Sequence, residues 1–251
     1  GSIVSDRGVD TLPDQGRRRL LAGAASVAAL GSGFSIVELA LARNEDEAVS
    51  SLNRWGLLID TAKCATGCDA CVTACATEHN LEGHGRPLTD PQWIRKVELE
   101  DEQTGHETSL PMLCQHCEHP PCVDVCPTGA SFRRDDGIVL VDKHICIGCR
   151  YCVMACPYKA RSFVHEALHD QKSYSPRGKG TVESCTLCVH RIDRGDIPAC
   201  VESCAVDGGQ AMAFGDLNDE NSEVARQLVA QPSRQVRGDL NLNTGVRYRN
   251  L

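Results

Sequence analysis

The residues with the clearest chemical meaning lie at 146–157, which read Cys-Ile-Gly-Cys-Arg-Tyr-Cys-Val-Met-Ala-Cys-Pro. This C-x2-C-x2-C-x3-C-P spacing is typical of iron–sulfur cluster ligation. The first three thiols share one tight loop, in which Gly148 is expected to let the backbone pass close to inorganic sulfide. Cys156 lies about one helical turn further on and points away from that loop, and Pro157 ends the turn. Because the fourth cysteine of such a run binds a different cluster, the motif predicts a partner motif elsewhere.

The partner motifs are present, because the 251-residue chain holds 16 cysteines in four groups of four with none left over. The groups are Cys64, Cys68, Cys71 and Cys75; Cys114, Cys117, Cys122 and Cys126; Cys146, Cys149, Cys152 and Cys156; and Cys185, Cys188, Cys200 and Cys204. Sixteen thiols in quartets predict four [4Fe–4S] clusters, with all these cysteines as iron ligands.

Zinc and disulfides are the alternative uses of so many cysteines. Structural zinc takes two C-x2-C pairs per ion, whereas residues 146–156 place four cysteines in one eleven-residue run. Disulfides need an oxidising compartment, and they give no reason for this crowding. The spacing therefore favours iron–sulfur clusters over both.

Composition and charge limit the other function classes. Aromatic residues make up only 4% of the chain, so we expect the cofactors to contribute much of the folding free energy. The net charge is −8 and no basic stripe appears, which argues against a nucleic-acid partner. The short basic runs Arg133-Arg134 and Lys159-Ala160-Arg161 are interpreted as local partners of thiolate-rich clusters or as solvated side chains.

The N-terminal residues 1–42 are interpreted as a twin-arginine export signal or a retained anchor helix. Arg17-Arg18-Arg19-Leu20-Leu21 precedes a mildly apolar run to Val37, and Ala40-Leu41-Ala42 suits a signal peptidase. An ordinary N-terminal helix with a basic start is the alternative. Export of a folded protein would protect thiols that a periplasm would otherwise oxidise, so the signal and the cysteines together predict the periplasmic face of the inner membrane.

The elements that must position the cysteines are short. Strands are predicted at Trp55 to Ile59, Trp93 to Leu99 and Ala211 to Phe214, and a hairpin is predicted over 129–141. Gly67 is expected to absorb the extra residue of the first group in a turn. Ser222 is predicted to cap a helix over 223–230, and the last 20 residues are interpreted as an extended tail for a subunit contact.

Residues 54–251 resemble the four-cluster iron–sulfur subunits of the molybdopterin oxidoreductase and polysulfide-reductase superfamily. The resemblance rests on the four cysteine groups and on these runs: Lys63-Cys64-Ala-Thr-Gly-Cys68, Glu78-His79-Asn80, Cys114-Gln-His-Cys117, Pro127-Thr-Gly-Ala-Ser-Phe and Phe214-Gly-Asp-Leu-Asn-Asp. They are most similar to the DsrO branch, the periplasmic subunits of DsrMKJOP membrane complexes.

The resemblance implies an α+β fold of two nested ferredoxin-like dicluster units, rich in cofactor and low in regular secondary structure. The outer unit would take residues 54–109 and 161–215, and the inner unit 110–160. Residues 43–53 would be a linker, and 216–251 a helix and tail. The implied ligand sets are Cys64, Cys68, Cys71 and Cys204; Cys75, Cys185, Cys188 and Cys200; Cys114, Cys117, Cys122 and Cys156; and Cys126, Cys146, Cys149 and Cys152.

The resemblance also implies a function, which is single-electron relay between an NrfD-like integral membrane subunit and a periplasmic multihaem cytochrome c in sulfur metabolism. An iron–sulfur subunit of a molybdopterin reductase is the alternative, and a redox sensor or cluster-delivery scaffold is a third. No nucleophile–base set, haem-attachment motif or dinucleotide fingerprint stands out, so bond-making is assigned to partner subunits.

Two further sets of residues adjoin the cysteine groups. Cations beside the ligands would raise a cluster's reduction potential, with plain solvated side chains as the alternative; they are Lys63, Lys143, Arg150 and Lys159. The histidines are interpreted as groups that contact ligands or lie on the surface, because the cysteine count is already complete; they are His79, His116, His119 and His190.

Overall fold

The computed structural model describes residues 48–251, which lie within one compact unit, Arg43–Leu251. The predicted signal or anchor at 1–42 and the start of the predicted linker lie outside the described residues. Within residues 48–251, no helix combines the length and the hydrophobicity that crossing a bilayer requires.

The described chain has few and short regular elements. The strands are β1 (Trp55–Asp60), β2 (Ile94–Glu100), β3 (Glu107–Leu113), β4 (Ser131–Arg133), β5 (Val139–Val141), β6 (Arg161–Phe163), β7 (Val182–Ser184), β8 (Met212–Asp216) and β9 (Val246–Arg249). The α-helices are α1 (Ala70–His79), α2 (Pro121–Asp124), α3 (Tyr151–Ala155), α4 (Val189–Ile192), α5 (Ala199–Val206) and α6 (Glu223–Ala230). Single 3₁₀ turns occur at Thr61–Lys63 and Gly238–Leu240.

A three-stranded sheet of order β8-β1-β9 forms the largest sheet of the described chain. Strand β1 pairs antiparallel with β8 and parallel with β9, and Leu57, Leu58 and Ile59 at its centre are almost completely buried. Such a continuous apolar run suits a strand that is covered on both faces. The predicted strand at Trp55 is confirmed, and it leads directly into the first cysteine group.

The interpretation of the last 20 residues as an extended tail is wrong for Val246–Arg249, which forms β9. Tyr248 is fully buried in the core, and its hydroxyl donates a hydrogen bond to the Pro111 carbonyl at 3.0 Å. The alternation of apolar and basic residues in Val-Arg-Tyr-Arg is a strand pattern, and its pairing with β1 puts the apolar members inside.

Three two-stranded antiparallel sheets complete the strand inventory of residues 48–251: β2–β3, β4–β5 and β6–β7. The β4–β5 pair is the predicted hairpin, which closes through Asp135-Asp136-Gly137 and delivers the chain to the third cysteine group. The predicted helix cap is also confirmed, because the Ser222 hydroxyl accepts a hydrogen bond from the Ala225 N–H at 3.1 Å. The fold is a small ferredoxin-like α+β domain in which loops carry most of the cysteines.

Candidate iron–sulfur centres

Each cysteine group lies on a loop that turns back on itself through a residue with left-handed backbone. Gly67 serves the first group at φ 78°, His116 the second at 44°, Gly148 and Arg150 the third at 69° and 63°, and Leu187 the fourth at 54°. Left-handed non-glycine residues are uncommon, and they cluster where a site over-determines the backbone. Short helices then follow these loops; α1, for example, carries Cys71 and Cys75.

Gly148 is required by a close backbone approach, although the neighbour is not the one expected. A Cβ at this position would lie 2.1 Å from the Gly180 carbonyl oxygen and 3.1 Å from the Phe163 ring. The third loop therefore packs directly on the turn before β7, and glycine is needed for that contact as well as for its positive φ.

All sixteen cysteines are free thiols, so none forms a disulfide. Eleven of them are buried, and those with greater exposure belong to the first three groups: Cys64, Cys68, Cys126, Cys146 and Cys149. No three His, Cys, Asp or Glu side chains of residues 48–251 converge tightly enough to hold a single metal ion. A cubane differs from a single ion because each thiolate binds a separate iron atom.

The fold brings the first group beside the last cysteine of the chain. Burial raises the pKa of Cys71 to about 11, and the negative charges of Cys64, Cys204 and Cys68 add to this increase. The contact arises because α1 packs against α5, which carries Cys204. The backbone N–H of Ala211 also donates to Cys204 Sγ at 3.2 Å.

A second set of thiols meets deeper in the same region. Burial raises the pKa of Cys75 well above its usual value, and the charges of Cys200 and Cys188 raise it further. The pKa of Cys185 is likewise raised by burial and by the charge of Cys75. Cys71 and Cys75 lie about one helical turn apart along α1, so the first is near one set of cysteines and the second is near another.

The second cysteine group has a neighbour from the third group. Burial raises the pKa of Cys117 to about 12, and the charges of Cys122 and Cys156 contribute. Cys156, the last cysteine of the third group, thus lies beside the second group. Cys126, the last of the second group, accepts hydrogen bonds from the Ser131 N–H and from Thr128, which lower its pKa to about 7 against the opposing effect of burial.

The buried polar atoms fit the presence of clusters. In the described chain, three buried donors within two residues of a cysteine have no hydrogen-bond partner: His116 Nε2, Tyr158 Oη and Thr186 Oγ1. The buried acceptor Gln115 Oε1 also lacks a partner there. Inorganic sulfides and thiolates would supply acceptors at such positions. Without a metal, burial keeps these thiols in their neutral form, and iron would hold them as thiolates.

Two cations donate directly to cysteine sulfur. Lys96 Nζ on β2 lies 2.8 Å from Cys64 Sγ, and Arg161 Nη2 on β6 lies 3.1 Å from Cys122 Sγ. Arg161 belongs to a basic run that the sequence indicates as a partner of thiolates, and it is one. Lys96 is missed by sequence reasoning, because it is 32 positions from Cys64 and stands in an ordinary strand pattern.

The four cations that adjoin ligands in the sequence make no hydrogen bond to cysteine sulfur within the described residues. Arg150 lies 4.8 Å from the centre of the Phe163 ring, and Lys143 lies 5.9 Å from that of Trp93. Burial lowers the pKa of Lys143, whose charge is also near Glu183 and Cys146. Lys63 and Lys159 are exposed. Nearness along the chain therefore did not identify the cations that touch sulfur.

Of the four histidines, His79 has the clearest role. It is 1% exposed, its Nε2 lies 3.5 Å from Cys188 Sγ, and its Nδ1 lies 2.8 Å from the Ser175 hydroxyl. Burial lowers its pKa to about 3, so the ring is neutral. Assigning the proton to Nε2 lets the ring donate to Cys188 and accept from Ser175.

Two further histidines support the cysteine loops without a hydrogen bond to sulfur. His116 Nδ1 accepts from the Val139 N–H at 3.1 Å, and burial lowers its pKa to about 3. His190 pairs with Glu78 at 2.7 Å. Both contacts join a cysteine loop to a neighbouring element of the described chain.

The surfaces around Cys149 and around Cys68, where cysteines are partly or fully exposed, differ in their chemistry. We call residues 145–154 the apolar end, because Ile145, Ile147, Tyr151 and Met154 there are all exposed around the exposed Cys149. Ile147 is 67% and Met154 71% exposed.

The acidic groove is the second surface, and it lies between α1 and α5 beside Cys68. It has a volume of about 830 Å³, and its charged lining consists of Asp69, Glu78, Glu202 and Asp207 with the cation Arg191. Glu78 and Glu202 both pair with Arg191. The lining therefore carries an excess of negative charge.

Grouped free thiols on loops of a small α+β domain define an iron–sulfur protein of the ferredoxin type. Comparison with known proteins agrees, because residues 106–217 match the family model described as a 4Fe-4S dicluster domain. The chain is 40% identical over 259 aligned positions to the Hdr-like menaquinol oxidoreductase iron-sulfur subunit 1 of Archaeoglobus fulgidus, covering 92% of this chain and 96% of that protein. The chain belongs to this family of ferredoxin-type iron–sulfur subunits.

Other relatives are similar over most of their length. A tetrathionate reductase subunit of Salmonella typhimurium is 41% identical over 203 residues, which cover 79% of this chain and 74% of that protein. Protein NrfC of Escherichia coli is 39% identical over 183 residues, covering 72% and 73%. Both similarities extend well beyond the matched dicluster domain.

Proposed function

We propose that the chain carries four [4Fe–4S] clusters and relays single electrons through them within a membrane oxidoreductase complex. The ligand sets are Cys64, Cys68, Cys71 and Cys204 for cluster 1; Cys75, Cys185, Cys188 and Cys200 for cluster 2; Cys114, Cys117, Cys122 and Cys156 for cluster 3; and Cys126, Cys146, Cys149 and Cys152 for cluster 4. The neighbouring charges described above support sets 1 to 3, and set 4 takes the remaining four cysteines as the family resemblance implies.

Electrostatic interactions between the sets support a linear order of the four clusters. The charge of Cys71 reaches Cys75 and joins sets 1 and 2, and that of Cys114 reaches Cys185 and joins sets 2 and 3. The charge of Cys152 reaches Cys122 and joins sets 3 and 4. All eight cysteines of sets 2 and 3 are buried, whereas sets 1 and 4 contain the more exposed cysteines. The two dicluster units would therefore lie end to end.

Each bound cluster supplies one-electron redox chemistry. The protein's own residues exclude water from the middle of the row, fix the sulfur positions and adjust the charge around them. Backbone N–H groups donate to cysteine sulfur from Ser131, Val182, Leu187 and Ala211. Such bonds stabilise thiolate charge and are among the determinants of reduction potential.

The two exposed surfaces support two different partners. The apolar end suits an NrfD-like integral membrane subunit, since burying Ile147 and Met154 would remove apolar surface from water at cluster 4. The acidic groove at cluster 1 suits a basic partner such as a periplasmic multihaem cytochrome c. The name of the Archaeoglobus relative contains menaquinol oxidoreductase, which supports a quinone-linked role.

The finer assignment is to the DsrO branch, in a DsrMKJOP-like complex of sulfur metabolism at the periplasmic face of the inner membrane. Export through the twin-arginine route would deliver the folded, cluster-loaded protein. The motifs quoted from the sequence support this branch. Mass spectrometry of the purified protein tests the signal, because cleavage predicts a mature start at Arg43 and a retained anchor predicts the intact segment.

A subunit of a molybdopterin reductase is the second candidate, favoured by the 41% identity to the tetrathionate reductase protein of Salmonella. Metal and cofactor analysis of the anaerobically purified native complex distinguishes the two. Haem c without molybdenum supports the leading proposal, whereas molybdenum and pterin support the second.

The observation that carries the electron-relay proposal is the presence of sixteen free thiols in four sequence groups of four. It predicts about sixteen iron atoms per chain and four reducible cubanes in quantitative EPR. Fewer reducible clusters in fully loaded protein would contradict the four-cluster row.

A further inference from the structure

Arg161 is a buried cation that pairs with no carboxylate of the described chain. Arg161 is the first residue of β6, and it is 5% exposed. Nη1 donates to the Ser131 hydroxyl at 2.8 Å, and Nη2 donates to Cys122 Sγ at 3.1 Å. None of the ion pairs within residues 48–251 includes it.

Another buried arginine of the same domain, Arg177, differs from Arg161 in having a carboxylate partner. Arg177 is similarly buried, and its guanidinium makes two hydrogen bonds of 2.8 Å to the buried carboxylate of Glu183. A buried charge without such a partner is costly. Arg161 must therefore be balanced by another negative group, and the nearest candidates are sulfur atoms.

The sulfur atoms around Arg161 belong to two different ligand sets. The charges of Cys122 and Cys114, from set 3, and of Cys152, from set 4, all act on the guanidinium. The planar guanidinium presents five N–H donors in a fixed fork, so one side chain can face two acceptors at once. Arg161 thus lies at the junction of clusters 3 and 4.

We propose that Arg161 is a potential-setting residue shared by clusters 3 and 4, and that its fixed positive charge raises the reduction potential of both. The inference rests on the proposed ligand sets. An added electron makes a cluster more negative, so a buried cation within hydrogen-bond reach of its ligands stabilises the reduced form. Clusters 3 and 4 would then hold the electron in preference to their neighbours.

The residues around clusters 1 and 2 in the described chain lack an equivalent group. Lys96 at Cys64 is partly exposed, so water screens its charge, and it touches a ligand of cluster 1 alone. At cluster 2, the neutral ring of His79 donates to Cys188. In the loaded protein, one electron passing from cluster 2 to cluster 3 would oxidise cluster 2 and reduce cluster 3. No bond is made or broken, and no proton moves, because the guanidinium keeps its protons.

The test is an EPR-monitored redox titration of the anaerobically purified, fully loaded protein and its variants. Arg161→Gln is expected to shift two of the four midpoints to more negative values and to leave the other two unchanged. Arg161→Lys keeps a positive charge but has one compact donor centre, so at least one of the same two midpoints should stay near the wild-type value. Lys96→Gln is the matched control, because it should move a different, single midpoint by less.

Loss of clusters in Arg161→Gln would not end the test, because Ser131→Ala removes only the hydroxyl that holds Nη1 and keeps the Ser131 N–H bond to Cys126. It should lower the same two midpoints by a smaller amount. Unchanged midpoints in Arg161→Gln, or a shift confined to one cluster in that variant, would overturn the inference. Where Arg161→Gln loses clusters, unchanged midpoints in Ser131→Ala would overturn it. Wild-type protein with fewer than four cubanes would instead overturn the proposed function.

Discussion

The apolar end and the acidic groove are both places where a cysteine array reaches the surface, and they do so in opposite chemical settings. At the apolar end, the exposed Cys149 is surrounded by Ile147, Met154 and similar side chains. At the acidic groove, Cys68 is bordered by carboxylates on α1 and α5. From this difference we expect the apolar end to make a lasting contact that removes apolar surface from water, and the acidic groove to make a contact that salt weakens.

The largest expected effect is a difference in cluster loss between cysteine variants at the exposed ends of the cluster row and variants at its buried middle. Cys149→Ser should cost one cluster and leave three, because its loop lies at the surface. Cys200→Ser should cost more, because Cys200 is buried on α5 between two sets of thiols. Loss of cluster binding free energy there is loss of folding free energy.

Iron content and spin quantification of the two serine variants measure this difference. Circular dichroism during denaturant titration shows whether the fold is also lost. Equal losses in Cys149→Ser and Cys200→Ser would remove the distinction between end and middle.

The next effect concerns the apolar end. Ile147→Glu and Met154→Glu should each weaken association with the membrane subunit about tenfold or more, since burying such a side chain contributes about 1.5–3 kcal/mol. Co-purification from detergent-solubilised membranes and a titration of the separated subunits measure it. Val229→Glu is the matched control, because Val229 is 91% exposed and lies on α6. An equal loss in this control would mean that the apolar end has no special role.

The acidic groove should show a smaller effect that depends on salt. Glu202→Lys together with Asp207→Lys should slow association with a basic cytochrome c by roughly tenfold at low ionic strength, and the difference should shrink at high salt. Stopped-flow mixing at several salt concentrations measures the rate. Glu100→Lys with Glu102→Lys makes the same change in net charge on the β2–β3 hairpin. A rate that is equally slow in this control would point to overall charge instead of the groove.

The smallest expected effect lies in the buried middle. His79→Leu removes the donor to Cys188 and should lower the midpoint potential of one cluster by less than Arg161→Gln does, because it removes a neutral hydrogen bond and not a full charge. His79→Gln offers an amide donor and should retain part of the wild-type value. Redox titrations of both variants check this order. A larger shift in His79→Leu than in Arg161→Gln would reverse it.

Local features of the domain were predictable from the sequence. The β4–β5 hairpin and the Ser222 cap follow from turn and cap residues that act over a few positions, and both are confirmed. The family and the iron–sulfur class follow from cysteine spacing, which is also local. The proposed ligand sets remain predictions, and neighbouring charges support sets 1 to 3.

Long-range pairings were not predictable in the same way. The residue pattern of Val246–Arg249 does not indicate that β1 is its pairing partner, so the sequence predicts an extended tail where the structure has a strand. Lys96 reaches Cys64 only because β2 passes the first cysteine loop, whereas Lys63 and Lys159 are exposed to solvent despite being close in sequence. Side-chain contacts across the fold need the positions of whole elements, which periodicity does not supply.

The register of β1 against β9 has a consequence for the order in which the protein matures. Thr61 bonds to the Arg249 carbonyl 188 positions away, so closing this sheet means ordering almost the whole domain. The loops that hold the second and third cysteine groups lie within one short stretch and can come together sooner, at a lower entropic cost. We therefore expect a newly made chain to capture iron first around Cys114–Cys156, with the remaining sites, whose cysteines lie between Cys64 and Cys204, filling later.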